Sequence, residues 1–184
     1  MSQNLRDFTE AVYAFDAVVS RMPAEAWEVE SACEGWSGRD LVEHQCAVLN
    51  GVTAMATTGQ MARPTPPDDV SDPVATWRAT RDALLAALDR QGALNQQGPF
   101  WFDAATIDDL IGIVMWDPTT HTWDLAQCAD LDHGLNPALV EKVLARIGPM
   151  QGMLEESGRT QAALGVDDDA DVITRYLALV GRKA

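Results

Sequence analysis

The chain has 184 residues, 28 of them acidic and 13 basic, for a formal charge of −15 with its three histidines neutral. A surface so acidic repels phosphate backbones and anionic lipid, and no Lys/Arg-rich stripe supplies a nucleic-acid footprint, which argues against nucleic acid and membrane as partners. The length suits one domain, or one domain with an appended segment, and 47% apolar with 22% charged residues is the composition of a globule that folds without staples.

Leu5, Phe8, Val12, Phe15, Val19 and Met22 are spaced by threes and fours, which predicts a first amphipathic helix closed by Pro23. After a short link through Trp27, Ser37 stands as an N-cap with Asp40 at N3, a capping box, and Trp36 and Leu41 occupy the positions of a hydrophobic staple. The second helix should run to about Ala56. Residues 57–71 hold three prolines and read as a long exposed loop, either a passive linker or the wall or lid of a site. Asp72-Pro73 opens a third helix through Trp77, Leu84, Leu85 and Leu88, ending at Gly92.

Residues 93–105 include Gly-Pro and the aromatic run Phe100, Trp101 and Phe102 without helical spacing, so irregular or extended chain is expected. Thr106 with Asp109 starts a fourth helix that reaches about Cys128. Pro118 should kink it, because proline has no N–H for the Val114 carbonyl. Asn136-Pro137 starts a fifth helix through Leu139, Val143, Leu144 and Ile147, interrupted at Gly148-Pro149. Beyond Gly158 and the acidic cluster 167–171, a last short helix carries Val172, Ile173, Tyr176, Leu177 and Val180 and stops at Gly181. The expectation is an all-α bundle in a single domain over residues 1–184, with its core to about residue 156 and a C-terminal segment from about residue 157.

The longest unbroken apolar run, residues 110–116, is far short of a bilayer span. The first seven residues lack the basic start and apolar stretch of a signal peptide, which points to the cytoplasm. Cys33, Cys46 and Cys128 are odd in number and widely spaced, as suits reduced thiols, with Cys46 and Cys128 as small core residues.

The three histidines carry the chemistry that composition leaves open. His44 faces the apolar side of the second helix, three residues from Leu41 and four from Val48. Asp117 and His121 are four apart on the fourth helix, so both project from one face, and with a histidine from a facing helix they make a His/Asp/His metal set. The spacing also fits hydrogen-bonded core histidines and an aspartate that answers the backbone freed by Pro118, since nothing local makes the two helices face each other. His133, in Asp-His-Gly between helices, is expected to be exposed.

Two segments carry a resemblance. Cys33-Glu-Gly-Trp-Ser-Gly-Arg-Asp-Leu-Val-Glu-His44 resembles the C-x-G-W-[ST]-x-[RK]-D-L-[VL]-x-H segment of the mycothiol-dependent maleylpyruvate isomerase N-terminal domain. His121-Thr-Trp-Asp-Leu-Ala126 resembles the H-[GT]-W-D-L-A segment of the same group. Order, spacing and the Gly181-Arg182 ending are similar to the shorter actinobacterial members of this DinB-like superfamily. The resemblance implies a DinB-like four-helix bundle with extra short C-terminal helices. It also implies His44, Asp117 and His121 as ligands of a divalent metal, zinc foremost, with nickel or iron as alternatives. The family motif has glutamate at position 117, where this chain has the shorter aspartate beside Pro118. Asp124, three residues after His121, reads as a group supporting a ligand or as a solvent-facing aspartate.

The functional expectation that follows is an enzyme in which a metal with open positions activates a low-molecular-weight thiol such as mycothiol. The thiolate adds across an activated double bond of a small electrophile, the resulting single bond rotates, and elimination returns an isomer; transfer without elimination leaves an S-conjugate. Isomerase and S-transferase activity are therefore both open. The alternative is a non-catalytic, stress-associated metal-binding bundle that forms a homodimer through an apolar helix face.

Overall fold

A computed structural model of the chain describes residues 1–167 and 169–184; Asp168 of the acidic cluster lies outside the described residues. The chain divides into two compact units, Met1–His133 and Gly134–Ala184.

In the first unit, α1 (Gln3–Val19) begins where the Ser2 hydroxyl accepts the Leu5 N–H. It buries Phe8, Ala11, Val12, Phe15, Val18 and Val19, so the predicted stripe is core from Phe8 onward, while Leu5 is half-buried and the helix ends at Val19, short of the expected stop at Pro23. Helix α2 (Gly38–Thr58) starts at the expected capping box and stops at Gly59, in the left-handed region at φ +69°, slightly later than the sequence suggested. Helix α3 (Pro73–Asp89) is capped by the Asp72 carboxylate and buries Trp77, whose ring meets Phe15 edge-on at 4.6 Å.

The fourth predicted helix is two helices, α4 (Ile107–Val114) and α5 (Trp116–Gln127). The break at Met115 falls in the turn where Pro118 withholds its hydrogen bond, as the kink required. The Thr122 hydroxyl donates to the Pro118 carbonyl at 2.6 Å. Helix α1 packs on α3, α4 and α5, and α2 packs on the same three, so α1, α2, α3 and the broken α4–α5 rod make the bundle. No strand occurs among the described residues, and residues 93–105 form two short 3-10 turns with an isolated bridge between Gln97 and Thr106.

Residues 59–72 lie outside regular structure but are fastened to α2. The Thr65 N–H donates to the Ala47 carbonyl at 3.1 Å, and Asn50 Nδ2 donates to the Thr65 carbonyl at 2.9 Å. The Trp101 indole N–H donates to the Ala62 carbonyl at 2.8 Å. Gly51 lets this strap close, since a Cβ there would come within 2.5 Å of the Trp101 ring.

In the second unit, Asn136 caps α6 (Pro137–Ile147), a short α7 (Gln151–Glu156) follows, and Asp171 caps α8 (Val172–Leu179). Helices α6 and α8 pack through a core that includes Val140, Val143, Tyr176 and Leu177. No helix among the described residues is long and apolar enough to cross a membrane.

Candidate metal centre

The site is assembled where α2 meets α5. The spacing of Cys33, Gly35 and Trp36 has a plain backbone meaning. The Trp36 N–H donates to the Cys33 carbonyl at 3.0 Å, closing a turn whose third residue, Gly35, sits at φ +78° as a type II turn demands. That turn delivers Trp36 directly ahead of α2, and its ring lies against both histidines, 4.8 Å from His44 and stacked at 5.8 Å on His121.

From α2, His44 Nε2 reaches both carboxylate oxygens of Asp117 at 3.2 Å. From α5, His121 Nε2 lies 3.7 Å from Asp117 Oδ1. One ligand atom from each of the three residues falls within 4.8 Å of the others. Helices α2 and α5 therefore do face each other here. His44 keeps 30% of its side-chain exposure, while Asp117 and His121 are buried.

The second nitrogen of His121 is also held. A carboxylate accepts and does not donate when ionised, so His121 Nδ1–H donates to Asp124 Oδ2 at 2.8 Å. Asp124 is fully buried and supports the histidine, which resolves the alternative of a solvent-facing aspartate. In the neutral ring this bond leaves the lone pair on Nε2, turned toward Asp117 Oδ1. Two acceptors facing each other across a buried gap suit a cation between them. The donor set agrees: two imidazole nitrogens and one carboxylate oxygen, gathered within 4.8 Å of one another, are the ligand types that divalent zinc, nickel and iron take.

Burial opposes ionisation of Asp117, but the charge and hydrogen bond of His44, the charge of His121 and the Gln45 amide outweigh it and hold the carboxyl at about 2. For His44, burial disfavours the charged ring, and the charge and hydrogen bond of Asp117 reverse that and raise its pKa. Burial pushes the Cys46 and Cys128 thiols up to about 11, so both are inert core residues as their positions suggested. His133 stands outside the cluster and is half-buried, where the sequence implied exposure; next to it, Arg21 holds the Asp132 carbonyl at 2.6 Å and so ties this stretch down.

Sequence reasoning passed over Gln45 and gave Trp36 only a staple's part. The ring of Trp36 covers the histidines, a role beyond that of a helix staple. Gln45 donates from Nε2 to Asp117 Oδ2 at 2.6 Å. Its signal was present: Gln45 is a polar residue in the buried stripe of Leu41, Val42, Cys46, Leu49 and Val52.

A family model described as the mycothiol maleylpyruvate isomerase N-terminal domain matches residues 8–126, well over half of the chain and inclusive of every residue of the cluster. No curated protein and no solved structure matches.

Proposed function

The chain belongs to the mycothiol maleylpyruvate isomerase N-terminal domain family, and on that basis we propose that His44, Asp117 and His121 hold a divalent cation, zinc foremost, at which a low-molecular-weight thiol is activated for a small electrophile. The observation that carries this reading is the convergence of His44 Nε2 and His121 Nε2 on one buried carboxylate, with His121 oriented from behind by Asp124. Such a carboxylate-backed histidine is how proteins fix the ring and tautomer of a metal ligand. Bound there, the ion would lower the pKa of a thiol ligand and supply Lewis acidity.

The protein's own residues do the rest. Asp124 keeps the proton on His121 Nδ1 and so leaves Nε2 free to bind. Asp117 provides negative charge where Nε2 of His44, Nε2 of His121 and the Gln45 amide converge. The Trp36 ring shields one side of the two imidazoles, while the exposed part of His44 marks the side open to solvent. Cys46 and Cys128 are buried with raised pKa values, so the nucleophilic sulfur is brought by the thiol and not by these side chains. In a protein with a formal charge of −15, a bound cation would be the main local attraction for an anionic thiol or substrate. A soluble cytoplasmic enzyme of the isomerase or S-transferase type fits this chemistry.

The test is metal content by mass spectrometry on protein purified without chelator or histidine tag, followed by a thermal-shift screen of thiols. A stoichiometric divalent ion that is lost in His44→Ala, with the helical fold retained and a thiol-dependent shift in the wild type, supports the reading. A protein that takes up no ion when incubated with zinc, nickel or ferrous iron overturns it. An ion whose loss unfolds the chain, with no thiol response, favours a structural ion instead.

A further inference from the structure

We propose that Gln45 is a positioning residue of this centre: its amide holds one oxygen of Asp117 so that the other is presented between the two histidines. The inference rests on the reading that the cluster takes a cation, and it concerns a residue that the ligand set itself does not include.

Gln45 is fully buried. One turn away on either side along α2 stand Leu41 and Leu49, both buried and apolar. An amide in such a stripe is costly to desolvate, and packing alone favours a leucine or methionine there. Its orientation is fixed by the partner: ionised Asp117 only accepts, so the amide must turn Nε2 toward it, and the 2.6 Å bond to Oδ2 is the shortest contact the carboxylate makes in the cluster. Oε1 is then left with no donor among the described residues. The residue thus accepts an unsatisfied buried oxygen in return for what Nε2 does to Asp117.

What Nε2 does is separate the two carboxylate oxygens. Oδ2 takes the amide at 2.6 Å and also lies 3.2 Å from His44 Nε2. Oδ1 remains the oxygen that faces both imidazoles, 3.2 Å from His44 Nε2 and 3.7 Å from His121 Nε2. Because His44 and Gln45 are consecutive on α2, one helix turn supplies both a ligand and the clamp on the ligand that α5 presents. A rigid backbone element therefore sets the carboxylate rotamer, as a preorganised site requires.

The experiment is cobalt(II) binding by chelator competition, with the visible absorption spectrum recorded alongside, for wild type, Gln45→Met and Gln45→Leu. Thermal melting of each metal-free protein provides the stability reference. The expected result is a loss of cobalt affinity of about tenfold to a hundredfold in both variants. The cobalt spectrum should change as well, since Oδ2 is released, while melting of the metal-free proteins moves little. Two variants of different shape guard against a single misfolded one. If the wild type binds cobalt and the variants bind it with the same affinity and spectrum, the role of Gln45 is overturned while the cation reading stands. An affinity loss that only tracks lost stability, with an unchanged spectrum, also overturns it by reducing Gln45 to packing. A wild type that binds no cobalt overturns both.

Discussion

Helices α1 and α5 pack against each other, yet they bury opposite chemistries. The buried residues of α1 are Phe8, Ala11, Val12, Phe15, Val18 and Val19, with Asp7 as the one charged exception. Those of α5 include Asp117, Thr119, Thr120, His121, Thr122 and Asp124. The threonines of α5 answer their own backbone: Thr119 donates to the Met115 carbonyl and Thr120 to that of Trp116, at 2.8 and 2.9 Å. Asp117, His121 and Asp124 are instead linked to one another and to α2. Apolar burial of the α1 kind stabilises a fold, while a buried ionised carboxylate between imidazoles is costly unless something else is gained. The apolar helix and the polar helix lie side by side, and the first supports the second.

The sharpest way to break this division is Phe15→Ala on α1. Phe15 is fully buried against the edge of Trp77. Its truncation should cost about 3–5 kcal/mol, read from urea denaturation of the metal-free protein. Cobalt affinity under conditions where the variant stays folded should be nearly unchanged. A large affinity loss in the folded variant would mean that the two helices do not divide the labour as described.

Asp124→Asn is the matching change on α5. It keeps a side chain of nearly the same shape against His121 Nδ1 but removes the charge behind the ring. Metal affinity should fall about tenfold to a hundredfold, equivalent to about 1.4–2.7 kcal/mol, in a chelator titration. The midpoint of urea unfolding without metal should move much less than in Phe15→Ala. If stability falls and affinity does not, Asp124 belongs with the packing residues after all.

The same contrast explains what the sequence could and could not convey. Helix α1 was legible because apolar burial imposes a 3.6-residue period, and α2 and α3 because Ser37 with Asp40 and Asp72 with Pro73 announce their starts. The break between α4 and α5 was legible from Pro118 through a missing N–H. His44, Asp117 and His121 could be paired by spacing only within α5, since whether α2 turns its histidine toward α5 depends on packing between distant segments. The resemblance supplied that pairing. Gln45 and the ring of Trp36 went unread for a related reason: a lone glutamine in an apolar stripe and a tryptophan before an N-cap have ordinary local explanations, and only the tertiary contact gives them another. Residues 57–71 read as an exposed loop because the hydrogen bonds that fasten it, made by the Thr65 backbone, Asn50 and Trp101, leave no trace in composition.

Helix α2 belongs to both sides of the comparison, so its start is a useful intermediate case. The Ser37 hydroxyl accepts the Asp40 N–H, and the Asp40 carboxylate accepts from the Ser37 hydroxyl at 2.6 Å and the Ser37 N–H at 2.8 Å; the last two bonds lower the Asp40 pKa. Ser37→Ala should cost about 1 kcal/mol of stability in a thermal or urea melt. Because Ser37 follows Trp36 directly, the variant should also loosen the indole over the histidines, visible as a change in tryptophan emission. A normal emission spectrum in a destabilised variant would confine the cap to the fold.

The smallest expected effect is a change of sign. In the metal-free protein, His44 titrates above its ordinary value of 6.5 because the charge and hydrogen bond of Asp117 overcome the burial that opposes them. A group whose pKa is raised on folding contributes stability that is complete below the unfolded value and is lost as pH rises through the folded value. Asp117, held at about 2, stays ionised throughout that range and adds no slope of its own there. Metal-free stability should therefore decline gently as pH rises from about 6.5, the ordinary value, through the raised folded value of His44. With metal present at a fixed total concentration the slope should reverse, because the proton on His44 Nε2 competes with the ion and rising pH removes it. Thermal melts across this window, with and without zinc, measure both slopes. Parallel slopes in the two series would mean that His44 keeps its proton whether or not metal is present, and would remove it from the ligand set.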